Sequence, residues 1–486
     1  MLNRKLVKDH FWIIAIASLG IYLRTHGAIE NFLYSHDQDL LGWFVRDVVE
    51  NRHLRLIGQE TSQQGVFVGP LFYYLMIPFY LLFGMDPLGG LFGVIIIAAF
   101  TIFSLYFVVS KIFAKKSGLV ISFLYSTSLY SILNDREVVP TQPTVLWSVW
   151  FFYSVWLVLK KKKNGFYIAA FLLGIAWNIN LSLILFLPVF LLSWFLSKKK
   201  LEITTLTRSV ILFIAVFLPF LFFEARHGFN MTKAVLFKTS SSEVIVQGSG
   251  GDFERVITLL SKNVANILGT LDLNLNHLYW LAFLLSILFY LFIKNIVGRK
   301  IFILLLVWVT IPVIFFSVNP IILSEYYLNG TTFIWFLLIA LFIGNHKKIG
   351  FLFLIIFTVI NIFRYINLPR NKSGYLYRKN LVGYIKKDSI VWGYPCIAIS
   401  YITKPGYDFG YRYFYYLESL HVNKPISGSP VYTIVYPLRG DIDVDKTFGI
   451  IGLIYPDYSK YTKEDVLKSC SGEDSNLTDP MFGFTQ

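Results

Sequence analysis

Gly69 to Gly84 reads GPLFYYLMIPFYLLFG, and the topology of the whole chain turns on whether this stretch crosses a bilayer. It is shorter than the roughly 20 apolar residues that a spanning helix needs, and Pro78 interrupts it, which favours an interfacial or re-entrant segment. If it does not cross, Lys111, Lys115, Lys116, Lys160 to Lys163, Lys198 to Lys200, Arg208, Lys294, Arg299, Lys300, Lys347 and Lys348 all fall on the side of the N-terminal Arg4, Lys5 and Lys8. Only Asp9 and Glu202 oppose them there. Basic loops mark the cytoplasmic face, and one extra span here would reverse every loop downstream, putting these clusters outside and leaving only the N-terminal ones in the cytoplasm.

Outward from this stretch the composition agrees. The 486 residues are 55% hydrophobic, 18% aromatic and only 15% charged, with a mean hydropathy of +0.59, which excludes an ordinary soluble enzyme. Apolar runs predict spans near 11–26, 88–110, 117–133, 143–159, 165–181, 182–197, 209–223, 277–293, 301–317, 330–344 and 349–366. They are helices, because in lipid each segment must satisfy its own backbone hydrogen bonds. The first run has no small-residue cleavage site after it and reads as an uncleaved anchor. The net charge of +15 does not point to nucleic acid, since the lysines sit between the spans. The expected fold is an α-helical polytopic membrane protein with about eleven transmembrane helices plus juxtamembrane helices over residues 1–366. A small extracytoplasmic α/β domain over 367–486 follows it. The N-terminus is expected in the cytoplasm, in a cytoplasmic (inner) membrane, with 27–87, 134–142, 224–276, 318–329 and the tail outside. No Asp, Glu, Lys or Arg stands near the centre of a span, whereas transporters bury such groups at mid-membrane.

The first outer loop contains YSHDQDLLGWFVRDVVENRHLRLIG. Leu40, Leu41, Phe44, Val45, Val48 and Val49 recur at helical spacing, with Asp39, Arg46, Asp47 and Glu50 on other faces, so an amphipathic helix is predicted on the membrane surface. Asp37 stands just before it, either as an N-cap or as a carboxylate presented at the water–lipid boundary. Asp37 and Asp39 also form a DxD-like pair, but residues two apart on a helix point to nearly opposite sides.

This arrangement resembles the GT-C glycosyltransferases, especially the branch of protein O-mannosyltransferases and the lipid A aminoarabinose transferase. The resemblance rests on a short N-terminus, one span, an acidic residue before an amphipathic helix, and then GQETSQQGVFVGPLFYYLMIPFYLLFG at 58–84. It covers residues 1–366. It implies transfer of a sugar from a polyprenyl-phosphate carrier to a hydroxyl or amine of a protein, lipid or glycan acceptor, with inversion. Asp37 matches the first-loop catalytic acid and would be the general base, and Asp39 is the second catalytic candidate. Membrane lipid and the lipid-linked donor are the implied partners. No cofactor is assigned, and a divalent metal stays open without a ligand set.

Other candidates are substrate contacts. Arg46, Arg136 and Arg226 lie at a depth suited to a leaving phosphate. Asp135 and Glu137 flank Arg136 in the turn LNDREVVPTQP, either touching substrate or forming an Arg136 ion pair. Glu224 and His227 in EARHGF are structural partners or acceptor contacts. Glu325, beside Tyr326 in SEYYLNG, either orients a sugar hydroxyl or caps a helix. The Gly/Ser-rich 240–252 is either a closing loop or a connector. In the tail, SIVWGYPCIAISYI, YRYFYYL, PVYTIVYPL and TFGIIGLIYP read as strands, and Cys396 and Cys470 leave pairing open. Two further classes compete: a glycopolymer ligase or polymerase, resting on outer Arg and His, and a lipid-linked-sugar flippase or transporter, needing an intramembrane path.

Overall fold

The computed structural model describes residues 4–63, 65–198, 200, 202–237, 252–273, 275–319, 323–404 and 408–470. The Gly/Ser-rich segment 240–251 lies outside them. Every predicted span is helical: α1 Arg4–Thr25, then, past the first loop's α2 His36–Glu50 and α3 Leu71–Leu82, α4 Leu88–Ile112 and α5 Lys115–Thr127 with α6 Leu129–Asn134. Next come α7 Thr144–Leu159, α8 Asn164–Ile175, α9 Leu187–Ser197, α10 Ile203–Arg226, the loop helices α11 Asn230–Phe237 and α12 Phe253–Leu268, then α13 Leu278–Ile293, α14 Arg299–Val318, α15 Thr332–Asn345 and α16 Lys347–Ile366. Among the described residues five stretches are long and apolar enough to cross a membrane: Leu88–Ile112, Ile203–Arg226, Arg299–Val318, Glu325–Asn345 and Lys348–Ile366. The decisive 69–84 stretch forms the 12-residue α3, as short as α8, so length alone does not set the topology.

Three predicted spans are broken, one of them 165–181, which leaves the α-helix after Ile175 for a 3₁₀ turn, Ala176–Asn178, and the extended Asn180. Ser128 is extended (φ −67°, ψ 123°) and splits 117–133 into α5 and α6, while 182–197 begins as a 3₁₀ segment, Leu181–Phe186, before α9. The axis of the array is α15, whose residues Phe333 to Leu341 are all at most 1% exposed. A helix apolar on every side can only be surrounded by other helices. Its approach is tight: Gly330 sits where a Cβ would stand 2.4 Å from the Phe186 ring, and its carbonyl accepts from Trp308 Nε1 and Ser148 Oγ.

The described parts of the predicted outer segments converge at one end of the array, where residues of 36–68, 130–145, 179–185 and 325–329 enclose a common cavity. Basic segments meet at the other end, where Gly344 abuts Ser117 and Gly118 abuts Ser110. After α16 the chain forms α17 Tyr375–Val391 and a five-stranded sheet of order β2-β1-β3-β5-β4. Its strands are β1 Ile397–Thr403, β2 Val422–Asn423, β3 Val431–Tyr436, β4 Lys446–Phe448 and β5 Ile451–Ile454. The first three run parallel and β3, β5 and β4 antiparallel. YRYFYYL is not a strand but the short α18, Arg412–Leu417. Its rings Tyr413, Phe414 and Tyr415 are buried, and packing overrides the strand preference of aromatic residues. Cys396 and Cys470 are joined by a disulfide, Cα–Cα 5.5 Å, tying β1 to the end of α19, Lys463–Ser469.

The sheet domain is not a separate lobe. One hydrophobic cluster runs from Leu40, Leu41, Phe44 and Val45 of α2 through Tyr73 and Met76 of α3 to Leu381, Ile399, Tyr413 and Leu453 of the tail. The amphipathic α2 is therefore sandwiched between α3 and the tail rather than lying on the surface as its pattern predicts.

Candidate active site

The site grows from the first turn of α2. Ser35 is its N-cap, so Asp37 is inside the first turn and not the cap. Gln38 accepts from the Ser35 N–H at 2.9 Å and donates to the Val138 carbonyl at 3.3 Å, drawing this turn against the segment that carries Glu137. Asp37 Oδ1 accepts from Gln59 Nε2 at 3.1 Å. Both carboxylates line a cavity of about 700 Å³, together with His36, Glu60, Asp135, Asn180, Asn263, Glu325, Tyr326 and Tyr327. Burial pushes the Asp37 carboxyl up. Glu137 is pushed up to about 7, by burial first and by the Asp37 charge second. Desolvation and a like charge act in the same direction, and such paired shifts in a cleft are characteristic of sites that move protons.

The neighbouring ion pair has a different task. At the break after α5 the carbonyls of Tyr125 and Ser126 lose their helical partners, and Arg24, at the last turn of α1 and fully buried, donates to both at 3.2 and 3.1 Å. Its Nε and Nη2 each lie 2.7 Å from Asp135 Oδ2. Asp135 also accepts from Tyr125 Oη at 2.7 Å. Arg136 caps the end of α1, donating to the carbonyls of Leu23, Arg24 and His26. The partner of the acidic turn is therefore Arg24, not Arg136 as the sequence suggested, because a helix end leaves carbonyls that a guanidinium can satisfy.

Of the predicted residues, Asp37, Asp135, Glu137, Glu325 and Tyr326 come together at the cavity. Asp39 points elsewhere, fully buried and accepting from the Tyr413 N–H at 3.1 Å and Tyr34 Oη at 3.3 Å. Arg46 pairs with Glu50 and lies over the Tyr416 ring. Glu224 caps α11 through the N–H groups of Met231 and Thr232. Arg226 is exposed, and His227 stacks on Phe223. Neither these residues nor Arg136 line the cavity, whose walls among the described residues carry carboxylates and His36 but no Arg or Lys. Among the described residues no three His, Cys, Asp or Glu are grouped to hold a metal ion.

Sequence reasoning missed several wall residues. Ser62 bonds the hydroxyls of Tyr326 and Tyr327 at 3.1 and 2.8 Å, bridging the first loop to the entry of α15. Asn180 donates to the Tyr326 carbonyl at 2.9 Å. Ser131 Oγ and Asn263 Nδ2 are buried at the wall with no protein partner among the described residues, and buried polar groups seek one. A second cavity of about 610 Å³ adjoins the first, sharing Ile179, and is lined by Leu71, Phe72, Trp147, Ile168, Phe171 and other apolar side chains. Of its few polar residues, Asn178 is engaged by the Leu71 N–H.

Residues 68–223 match the family model described as dolichyl-phosphate-mannose-protein mannosyltransferase. No curated protein sequence matches the chain. The fold is similar to that of ArnT from Cupriavidus metallidurans, solved bound to undecaprenyl phosphate (TM-score 0.61, 8% identity) and in the apo state (0.61, 10%), each superposition covering 93% of this chain and 99% of that one. The family match covers about a third of the chain, residues 68–223, and the likeness to ArnT is one of fold.

Proposed function

We propose that the protein transfers a sugar from a polyprenyl-phosphate carrier to an acceptor hydroxyl or amine in the Asp37 cavity. The observation that carries this reading is the adjacency of two unlike cavities that share the wall residue Ile179, one polar and walled by carboxylates, the other apolar. A donor with a sugar-phosphate head and a prenyl tail fits that pair, and the undecaprenyl phosphate held by the similarly folded ArnT is an amphiphile of that build without the sugar. Asp37 takes the acceptor proton as the acceptor atom bonds the anomeric carbon, and the bond to the phosphate oxygen breaks with its electron pair, releasing polyprenyl phosphate. One displacement inverts the anomeric centre. The phosphate is a stabilised leaving group, so only the acceptor side needs a proton acceptor. The topology proposed with it has eleven crossings and a cytoplasmic N-terminus, in a cytoplasmic membrane. Basic loops at one end and a disulfide in the domain at the other, as oxidising compartments allow, support that orientation.

The apolar cavity gives the test. Ile168→Trp fills it, and displacing two methylenes' worth of tail contact at ~0.8 kcal/mol each raises KM for a long-chain polyprenyl donor about tenfold. KM for a two-prenyl analogue stays unchanged. An equal effect on both donors, or on neither, would sink this placement of the tail.

Glu137 supplies a second prediction. When it is ionised, its charge makes Asp37 a stronger base; once it takes a proton below about 7, that help is lost. Activity therefore falls as pH drops through this range. Glu137→Gln mimics the protonated state, so its kcat is lowered about tenfold, less than the 10²–10⁴-fold of a direct proton transfer because Glu137 acts only through its charge on Asp37, and loses the step near neutrality. A pH–rate profile that keeps the step in Glu137→Gln assigns it to another group.

A further inference from the structure

No described residue of the C-terminal domain lines the carboxylate cavity, yet the domain grips the helix turn from which Asp37 projects. The His36 ring lies 4.4 Å from the Phe409 ring. Gly410, at φ +86°, presses on the backbone of Ser35, where a Cβ would stand 3.0 Å from the Ser35 Cα. The Tyr413 N–H donates to the fully buried Asp39, and the Tyr413 ring covers Gly42 so closely that a Cβ there would stand 2.7 Å from it. On the opposite side, Gln38 ties the same turn to the Val138 carbonyl. The residues before and after Asp37 are thus fastened to different parts of the molecule. Once its backbone is fixed, a side chain in a first helical turn has few staggered choices.

We propose that the C-terminal domain is a working part of the transfer site: its segment 409–413 fixes the first turn of α2, with Asp39 as the positioning residue that sets where the Asp37 carboxylate points. This rests on Asp37 being the base. Asp39 does not touch the reacting atoms. Its carboxylate offers Oδ1 to Tyr413 and Tyr34, while Oδ2 has no partner among the described residues. Geometry rather than charge is the contribution, so a neutral residue that keeps the acceptor oxygen preserves it.

The experiment compares kcat and KM of the full-length protein in liposomes, with a polyprenyl-phosphate-linked sugar as donor, for Asp39→Ala, Asp39→Asn, Gly42→Ala and Asp37→Asn. A displacement of about 1 Å at a catalytic group costs about 100-fold, so Asp39→Ala lowers kcat by about that factor with KM for the donor little changed. Asp39→Asn restores most of it. Gly42→Ala, which pushes on Tyr413 from the other side, lowers kcat in the same way and carries the test if Asp39→Ala does not accumulate. Full kcat in Asp39→Ala or in Gly42→Ala overturns the positioning role while leaving Asp37 as the base. Equal loss in Asp39→Asn and Asp39→Ala overturns it too, since the charge itself would then matter. Retained activity in Asp37→Asn instead overturns the reading of the base, and this inference with it.

Discussion

Asp37→Asn is expected to lower the rate of sugar transfer by about 10³-fold, within the 10²–10⁴ range of general-base catalysis, at unchanged abundance of the protein in the membrane. The amide keeps the size and polarity of the carboxylate and can still meet Gln59, which bonds Oδ1 at 3.1 Å. What it loses is the capacity to accept a proton. Burial raises the carboxyl above its usual range, which makes its ionised form a better base than a carboxylate in water. The measurement is kcat for wild type and variant with donor and acceptor saturating. A rate within tenfold of wild type would reassign the proton to another wall carboxylate, Glu137 first.

The second large effect is on stability. Arg24 and Asp135 form an ion pair in which the side chains are 0% and 3% exposed, and deleting one member of such a pair leaves a buried charge, at a cost of about 3–5 kcal/mol. Arg24→Met does this and also orphans the carbonyls of Tyr125 and Ser126. Burial already raises the Asp135 carboxyl, with Arg24 as the largest opposing influence, so removing Arg24 leaves the carboxyl to protonate. Thermal unfolding of the purified protein in detergent is expected to show a large loss for Arg24→Met and a smaller one for Arg24→Met combined with Asp135→Leu. Wild-type unfolding of Arg24→Met would mean that the pair contributes little to the break between α5 and α6.

The helices were legible because hydropathy and backbone satisfaction leave a chain in lipid few choices, and each predicted span is helical. Asp37 was singled out by its place beside a patterned helix, and the structure puts it on the cavity wall. What sequence could not supply was the surrounding wall. Gln59, Asn180 and Asn263 come from three distant segments and carry no motif, and Ser62 reaches Tyr326 across more than 260 positions. Arg24 was overlooked because an arginine at the end of a span ordinarily snorkels, and only the helix break at Ser128 reveals carbonyls for it. Asp39 stood as the second catalytic candidate until the tail was packed on α2, and the strand-like YRYFYYL became a helix by that same packing. Spacing on a helix separates faces but does not say which face meets the substrate.

In the proposed reaction the two adjacent cavities receive a lipid-linked sugar and release its carrier. The most direct measurement uses purified protein in liposomes, supplied with a radiolabelled polyprenyl-phosphate sugar and membrane-extracted acceptors, with no nucleotide-sugar present. The account predicts label in the acceptor, an equal amount of polyprenyl phosphate released, and neither product with Asp37→Asn. Transfer only from a nucleotide-sugar, or movement of intact donor across the bilayer without cleavage, would contradict it.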